Sequence, residues 1–206
     1  MNKTIVQTRF DNLVSSGLWP VLKELGYRRQ GNNFRQYFFA EGWGRILNVQ
    51  KSAFNASDRV QFTLNAGLYL LAAERVNNWG RVSAEQFLEP DCLIRKRIGR
   101  LNGTQQDTWY ELTPTTPPGV VEQQVLADVQ HYVLPYLQRV QSGPELLAQV
   151  VRERDPNNAD GIRAAFVGGL RQQALAWLNE EIAATIYQYK KAELLRLQAQ
   201  LLAEEL

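Results

Sequence analysis

Apolar residues recur at helical spacing near the start of the chain, where Phe10, Leu13, Val14, Leu18, Leu22 and Leu25 fall on one stripe. The spacing predicts an amphipathic helix from about Ile5 to Leu25, closed by Gly26, with Pro20 kinking it or starting a second piece. The period then drops to two. Phe34 to Phe39 is aromatic-rich, Glu41 to Gly44 carries a turn signal, and a further run extends from Arg45 to Phe54. After a turn at Asn55 to Asp58, Val60, Phe62, Leu64, Ala66, Leu68 and Leu70 alternate with Gln61, Thr63, Asn65, Gly67 and Tyr69. That alternation predicts a strand with one buried and one polar face. Ala73 to Pro90, with Asn78 and Gly80, reads as a loop enclosing a short helix near Ser83 to Leu88. Cys92 to Arg100 and Thr108 to Leu112 read as two more strands joined by a turn at Asn102 and Gly103.

Pro114, Pro117, Pro118 and Gly119 mark a boundary, and the pattern beyond it is helical. Val121, Val125, Val129, Tyr132, Tyr136 and Val140 form one stripe. A second helix runs from about Pro144 to Arg154, broken at Asp155 to Asn158. Asp160 can cap a third that runs towards Leu178. Glu180 to Leu206 carries Ile182, Ile186, Leu194, Leu197 and Leu201, a stripe too short for a coiled coil. Left exposed, it would need the body or a second copy of the chain to cover it. Strands following strands at short spacing imply antiparallel pairing. The fold class expected is therefore α+β: four or five antiparallel strands packed on the N-terminal helix, with a C-terminal helical appendage. Residues 1–113 form the α+β domain and residues 114–206 the helical region.

Composition narrows the function classes. The 206 residues are 45% hydrophobic and 21% charged, the profile of a folded globular chain. The net charge of +2 gives no global argument for nucleic acid, although its distribution is uneven. Through Thr113 there are 15 Lys and Arg against 10 Asp and Glu; beyond it the count is 8 against 11. A basic first part and an acidic second part suit an internal docking surface. A single cysteine, Cys92, fits a reducing compartment, and Met1 to Phe10 has no apolar signal core, so a cytoplasmic location is expected. No apolar run approaches the ~20 residues of a membrane helix.

The short motifs of the middle of the chain occur in a familiar order. They are Gly26-Tyr27, Phe34-Arg35, Ile46 to Ser52, Phe62 to Leu68, and Cys92 to Gly99 followed by Trp109. Together they resemble a bacterial family catalogued as domain of unknown function 4304, over roughly Thr8 to Thr113. The resemblance implies a small bacterial protein, and it brings no catalytic residues to carry over.

One histidine and one cysteine cannot assemble a zinc site, so neither metal nor cofactor is expected. His131 falls on the polar side of its helix. Cys92 shares an alternating set with Ile94 and Ile98, which predicts a buried, inert thiol. No phosphate-cradling loop is present: Gly42 and Gly44 lie in a turn, and Gly168-Gly169 suits close helix packing. The constellation of interest is on the sheet. Asn48 and Gln50 share a face, as do Thr63, Asn65 and Tyr69; Arg95 and Arg97 alternate with Ile94 and Ile98, and Trp109 can stand beside them. In register, these strands would gather amides and two guanidiniums, which suit carboxylate or phosphate. The plainer alternatives are a solvated sheet face, or a face covered by the C-terminal helices with the arginines paired internally. The function expected is a non-catalytic binding or interaction module, one that could neutralise a partner by masking it. Its partner would be an acidic protein or a small anion. The alternatives are a small hydrolase or phosphate-ester enzyme using Arg95 and Arg97, and a weak single-stranded nucleic-acid binder based on the aromatic and basic residues of the first strand.

Overall fold

A computed structural model describes residues 3–77, 82–154 and 159–203. The N-terminal stripe forms α1 (Ile5–Asn12), a π-helical stretch Leu13–Leu18, and α2 (Trp19–Glu24). Pro20 explains the interruption. It has no N–H to give the Ser16 carbonyl, and its ring crowds that oxygen, so the register widens one residue earlier. The Trp19 N–H accordingly bonds Val14 O, five residues back. The second π-helical stretch in the chain, Val129–Val133, has the same cause: Pro135 follows it, and Leu134 N–H bonds Val129 O.

The sheet is antiparallel throughout. Its strands are β1 (Arg28–Gln30), β2 (Asn33–Phe38), β3 (Trp43–Lys51), β4 (Val60–Leu70), β5 (Ile94–Arg97) and β6 (Tyr110–Leu112). The order is β1-β2-β3-β4-β5, with β6 also paired to β4. β1 is absent from the sequence reading, because three residues hold too little alternation to register. The pattern also places β5 and β6 as a hairpin, whereas each pairs a different part of β4: Asn65 to Leu68 meet Arg97 to Ile94, and Val60 to Phe62 meet Leu112 to Tyr110. The strand expected to reach Arg100 stops at Arg97, where the chain turns into a short helix, α4 (Ile98–Leu101). Gly99 lies so close to the Gln106 carbonyl that a Cβ would sit 1.6 Å from the oxygen. That packing folds the segment back and rules out a continuous hairpin.

Both faces of β4 are buried, not one. Val60, Phe62, Leu64, Ala66 and Leu68 face the main core, while Tyr69 on the other face joins a small cluster with Ile46, Phe87 and Cys92. The loop after α3 (Leu71–Asn77) supplies Phe87 and two single-turn helices at Ala84–Gln86 and Glu89–Asp91. The turn residues Asn78 and Gly80 lie outside the described residues. Cys92 belongs to this second cluster, and Ile94 and Ile98 to the main core. The sequence sets these three on one face, but the strand starts only at Ile94, after the turn.

The helical half begins with α5 (Val120–Asp128), continues through the π-helical stretch into α6 (Leu134–Gln138), and adds α7 (Gly143–Glu153), α8 (Ala159–Val167), α9 (Arg171–Ala184) and α10 (Gln188–Ala203). The wider π turn puts Val133, not Tyr132, in line with Val129: Val133 is fully buried and Tyr132 is 40% exposed. The break expected at Asp155 to Asn158 lies outside the described residues. The third helix ends earlier than the pattern predicts, at Gly168 and Gly169. Gly169 takes φ 99° and its N–H bonds Phe166 O, while Leu170 N–H bonds Ala165 O, a glycine-terminated helix end. The leucines of the last stripe, Leu194, Leu197 and Leu201, are buried where α10 packs on α8 and α9; Ile186, between α9 and α10, is 82% exposed.

The helices cover the main-core face of the sheet, the same face that receives α1. One apolar core holds Phe10, Leu64, Leu137 and Leu178 together. Arg45 is buried within it, donating from Nη1 to Leu137 O at 3.1 Å with the Phe38 and Trp43 rings nearby. Tyr27, 3% exposed, has a buried hydroxyl with no partner among the described residues. Burial pushes its pKa up to about 12 despite the opposing charge of Arg45. Burial also raises Tyr69 and Tyr110, with added contributions from Glu74 and Asp128 respectively. An unfolded tyrosine ionises near pH 10, so stability is complete below that value and lost as pH rises through the folded pKa. Denaturant melts should weaken progressively above about pH 10, with Tyr27→Phe removing the part lost by about pH 12. At neutral pH the same substitution should leave stability unchanged or raised, since it deletes an unpaired polar group. A loss above about 1 kcal/mol there would show that the hydroxyl has a partner.

Candidate functional site

The register gathers the six sequence-predicted residues. Asn48 pairs with Asn65, Asn65 with Arg97, and Gly67 with Arg95, so all these side chains leave the sheet on one face. They bond chiefly to one another. Asn65 Nδ2 donates to Asn48 Oδ1 at 3.2 Å and to Gln50 Oε1 at 2.8 Å; Asn48 Nδ2 donates to Asn33 Oδ1 at 2.8 Å. Arg97 Nε reaches Asn65 Oδ1 at 3.3 Å, and its guanidinium stands 5.5 Å from the Trp109 ring centre. This amide ladder holds three strands in register.

Both arginines already have acidic partners. Arg95 grips Glu89 with two hydrogen bonds, 2.7 Å from Nε and 3.1 Å from Nη2, which raises the Arg95 pKa. Arg97 Nη1 donates to Asp107 Oδ1 at 2.8 Å. The carboxylates come from the loops flanking β5, not from the helical tail. Nearby, Tyr69 donates to Glu74 Oε2 at 2.5 Å, and Ser83 donates to the same carboxylate from its N–H and its Oγ. That buried network pins the covering loop. Cys92 is sealed beneath it, its thiol pushed well up by burial and by Glu89.

A concave, strongly charged place lies around the edge of β5. A cleft of about 660 Å³ opens between β5–α4 and the α5–α6 helix. One wall offers Arg95, Lys96, Arg100, Leu101 and Gln105; the other offers His131, Tyr132, Pro135, Tyr136 and Arg139, with Glu153 at the back. Arg100 donates from Nη1 to the neutral amide of Gln105 at 2.7 Å, and both Arg100 and Arg139 are exposed. Glu153 sits 3.3 Å from Lys96 Nζ and also accepts from Gln149. Cationic groups therefore outnumber the carboxylate heavily, and the π-helical turn presents His131 and Tyr132 to the opening. Widened turns of this kind recur at functional sites. Among the described residues no group of three or more His, Cys, Asp or Glu is placed to hold a metal ion, and no helix is long and apolar enough to cross a membrane.

A family model described as domain of unknown function (DUF4304) matches residues 18–139. The chain belongs to the DUF4304 family. The match passes through the boundary at Pro114 and ends at Arg139, so it includes α5 and α6 and both walls of the cationic cleft. The resemblance in the sequence stops at Thr113 and leaves these helices out. No curated protein and no solved structure matches the chain.

In this DUF4304 member the sequence pattern picks out one cleft residue, Arg95. Lys96, Arg100 and Arg139 escape it because they come from a strand, a four-residue helix and a helix end that no periodicity connects. The available signal is compositional: Arg95, Lys96, Arg97 and Arg100 put four cations into six residues. His131 reads correctly as exposed, yet its position opposite that cluster follows only from how α5–α6 docks on the sheet.

Proposed function

We propose that this chain is a non-catalytic binding protein for small anionic ligands, with its site in the cleft between β5–α4 and the π-helical turn. The carrying observation is the charge of that concavity: Arg100 and Arg139 line it with no carboxylate partner among the described residues, beside Arg95, held by Glu89, and Lys96, held by Glu153. The volume is within the range of small-molecule sites, about 300–1,000 Å³, and guanidiniums suit phosphate or carboxylate oxygens. A binding role is supported by the state of the one lining carboxylate. Glu153 is engaged by Lys96 and Gln149, which leaves the cleft without a free acidic base. A buried thiol, Cys92, accords with a reducing, cytosolic setting.

Calorimetric titration with inorganic pyrophosphate tests the reading. The intact protein should bind it, with affinity falling as salt is raised from about 0.05 to 0.15 M. Arg100→Glu combined with Arg139→Glu should weaken binding at least about 10-fold, because two charge-assisted contacts become repulsive. Both side chains are exposed, so the melting temperature should stay near native. Absence of binding to the intact protein, or unchanged binding by the double variant, would overturn the proposal.

A further inference from the structure

A second cleft, of about 510 Å³, lies at the opposite edge of the sheet, along β1 and the outer end of β2. Arg35 lies in its lining and is only 5% exposed. Its Nη2 donates to the neutral Gln30 Oε1 at 2.8 Å, and among the described residues its buried Nε has no acceptor and no carboxylate lies within 4.0 Å. Burial lowers the Arg35 pKa, opposed by the more distant Asp91. A buried guanidinium with no counter-ion is costly. Arg45 shows how the fold handles the same cost where no ligand can enter. It gives a hydrogen bond to Leu137 O, lies against two aromatic rings, and lines none of the clefts described here. Arg35 differs from it in lining an open cleft.

Tyr37, Phe38 and Phe39 bring aromatic side chains to the lining around Arg35, and the buried Phe87 lies behind them. The guanidinium stands 6.0 Å from the Phe87 ring centre, Tyr37 lies 6.3 Å from Phe87, and Phe39 meets Tyr37 edge-on at 4.9 Å. Phe39 is 65% exposed, a large apolar side chain projecting at the rim. Across the rim Arg28 and Glu85 form a loose ion pair at 3.6 Å, with side chains 80% and 47% exposed. Such a pair contributes little and can part. We infer that this cleft is a separate site for a small carboxylate carried on an aromatic body, with Arg35 holding the carboxylate and Tyr37 and Phe39 holding the ring. The pairing fits both halves of the cleft: a fork of N–H donors for a planar carboxylate, and ring edges and faces for a planar apolar group. The ligand supplies a counter-charge in direct contact, closer than Asp91.

The probes are benzoate and benzamide, which share shape and differ in charge. Titrated into the isotopically labelled intact protein, benzoate should produce saturating amide shifts at Arg35, Tyr37 and Phe39, and benzamide should not. Arg35→Met should weaken benzoate binding at least about 10-fold, the size of one charge-assisted contact. Arg35→Met should keep the fold and should leave pyrophosphate binding at the β5 cleft unchanged, which separates the two sites. Phe39→Ala, at an exposed side chain, should weaken benzoate binding without affecting folding, and it keeps the test decisive if Arg35→Met does not fold. Failure of benzoate to bind, equal binding of benzamide, or full binding by either variant would overturn the inference.

Discussion

A fragment ending at Thr113 is expected to be insoluble or molten, although it holds every strand of the sheet. The main-core face of β4 is covered jointly by the N-terminal helix and by α6 and α7. Val125, Val129, Val133 and Leu137 are each at most 1% exposed in the intact chain. Removing their cover returns Leu64, Ala66 and Leu68 to water along the middle of the sheet. Leu64 and Leu68 each contribute about 1.5–3 kcal/mol on burial, so exposing both removes a large share of the ~5–15 kcal/mol stability of a domain. Polar ties are lost as well: Arg9 Nη1 to Thr116 O at 2.7 Å, Tyr110 Oη to Asp128 at 2.6 Å, and the Gly143 N–H to Glu41 at 2.8 Å. Arg45 would lose the Leu137 carbonyl that accepts from its Nη1. Expression of residues 1–113, followed by a dye-binding assay and a thermal melt, checks this. A soluble fragment with a sharp two-state melt would show that the sheet carries its own core.

Phe62→Ala should cost about 3–5 kcal/mol in a denaturant melt, the largest single-residue effect expected in the fold. Phe62 is fully buried where three elements meet. Its ring lies edge-on to Phe10 of α1 at 5.1 Å and stacks on Tyr110 of β6 at 5.3 Å. Deleting it opens a cavity that neither neighbour can fill without leaving its own element, so transfer and cavity terms add. The adjacent Gln61→Ala should cost at most about 1 kcal/mol, since its side chain makes one exposed hydrogen bond, to Glu111. Equal costs at the two positions would mean that β4 is not set in the register described.

The strands were legible wherever alternation lasted. Val60 to Leu70 gives eleven residues of it, and the antiparallel pairing of Asn48 with Asn65 and of Asn65 with Arg97 follows once the strands are neighbours. Shorter elements were not legible: β1 has three residues, and α4 begins only where Gly99 packs on Gln106. The burial of the second face of β4 was hidden for another reason. Tyr69 looks like a solvent-facing residue until Phe87 and the loop carrying Glu74 and Ser83 fold over it, as does Thr63, whose Oγ1 donates to Thr108 O. The π-helical stretches follow from Pro20 and Pro135, but the sequence does not show whether a proline kinks, ends or widens a helix. The same limit explains the candidate sites. The sequence could place Arg95 and Arg97 on one face, but not their ion pairs with Glu89 and Asp107 across turns. Nor could it bring Arg139 to Arg100 or leave Arg35 without an ion pair among the described residues, because charge neutralisation is decided by tertiary docking.

The central claim is that the cleft beside β5 receives an anion, and a crystal structure of the intact protein grown with inorganic pyrophosphate tests it most directly. Density should appear between α4 and the π-helical turn, within hydrogen-bond distance of Arg100 and Arg139, and it should be absent from the Arg100→Glu/Arg139→Glu variant. An empty cleft at saturating pyrophosphate, or density confined to the opposite edge of the sheet at Arg35, would contradict it.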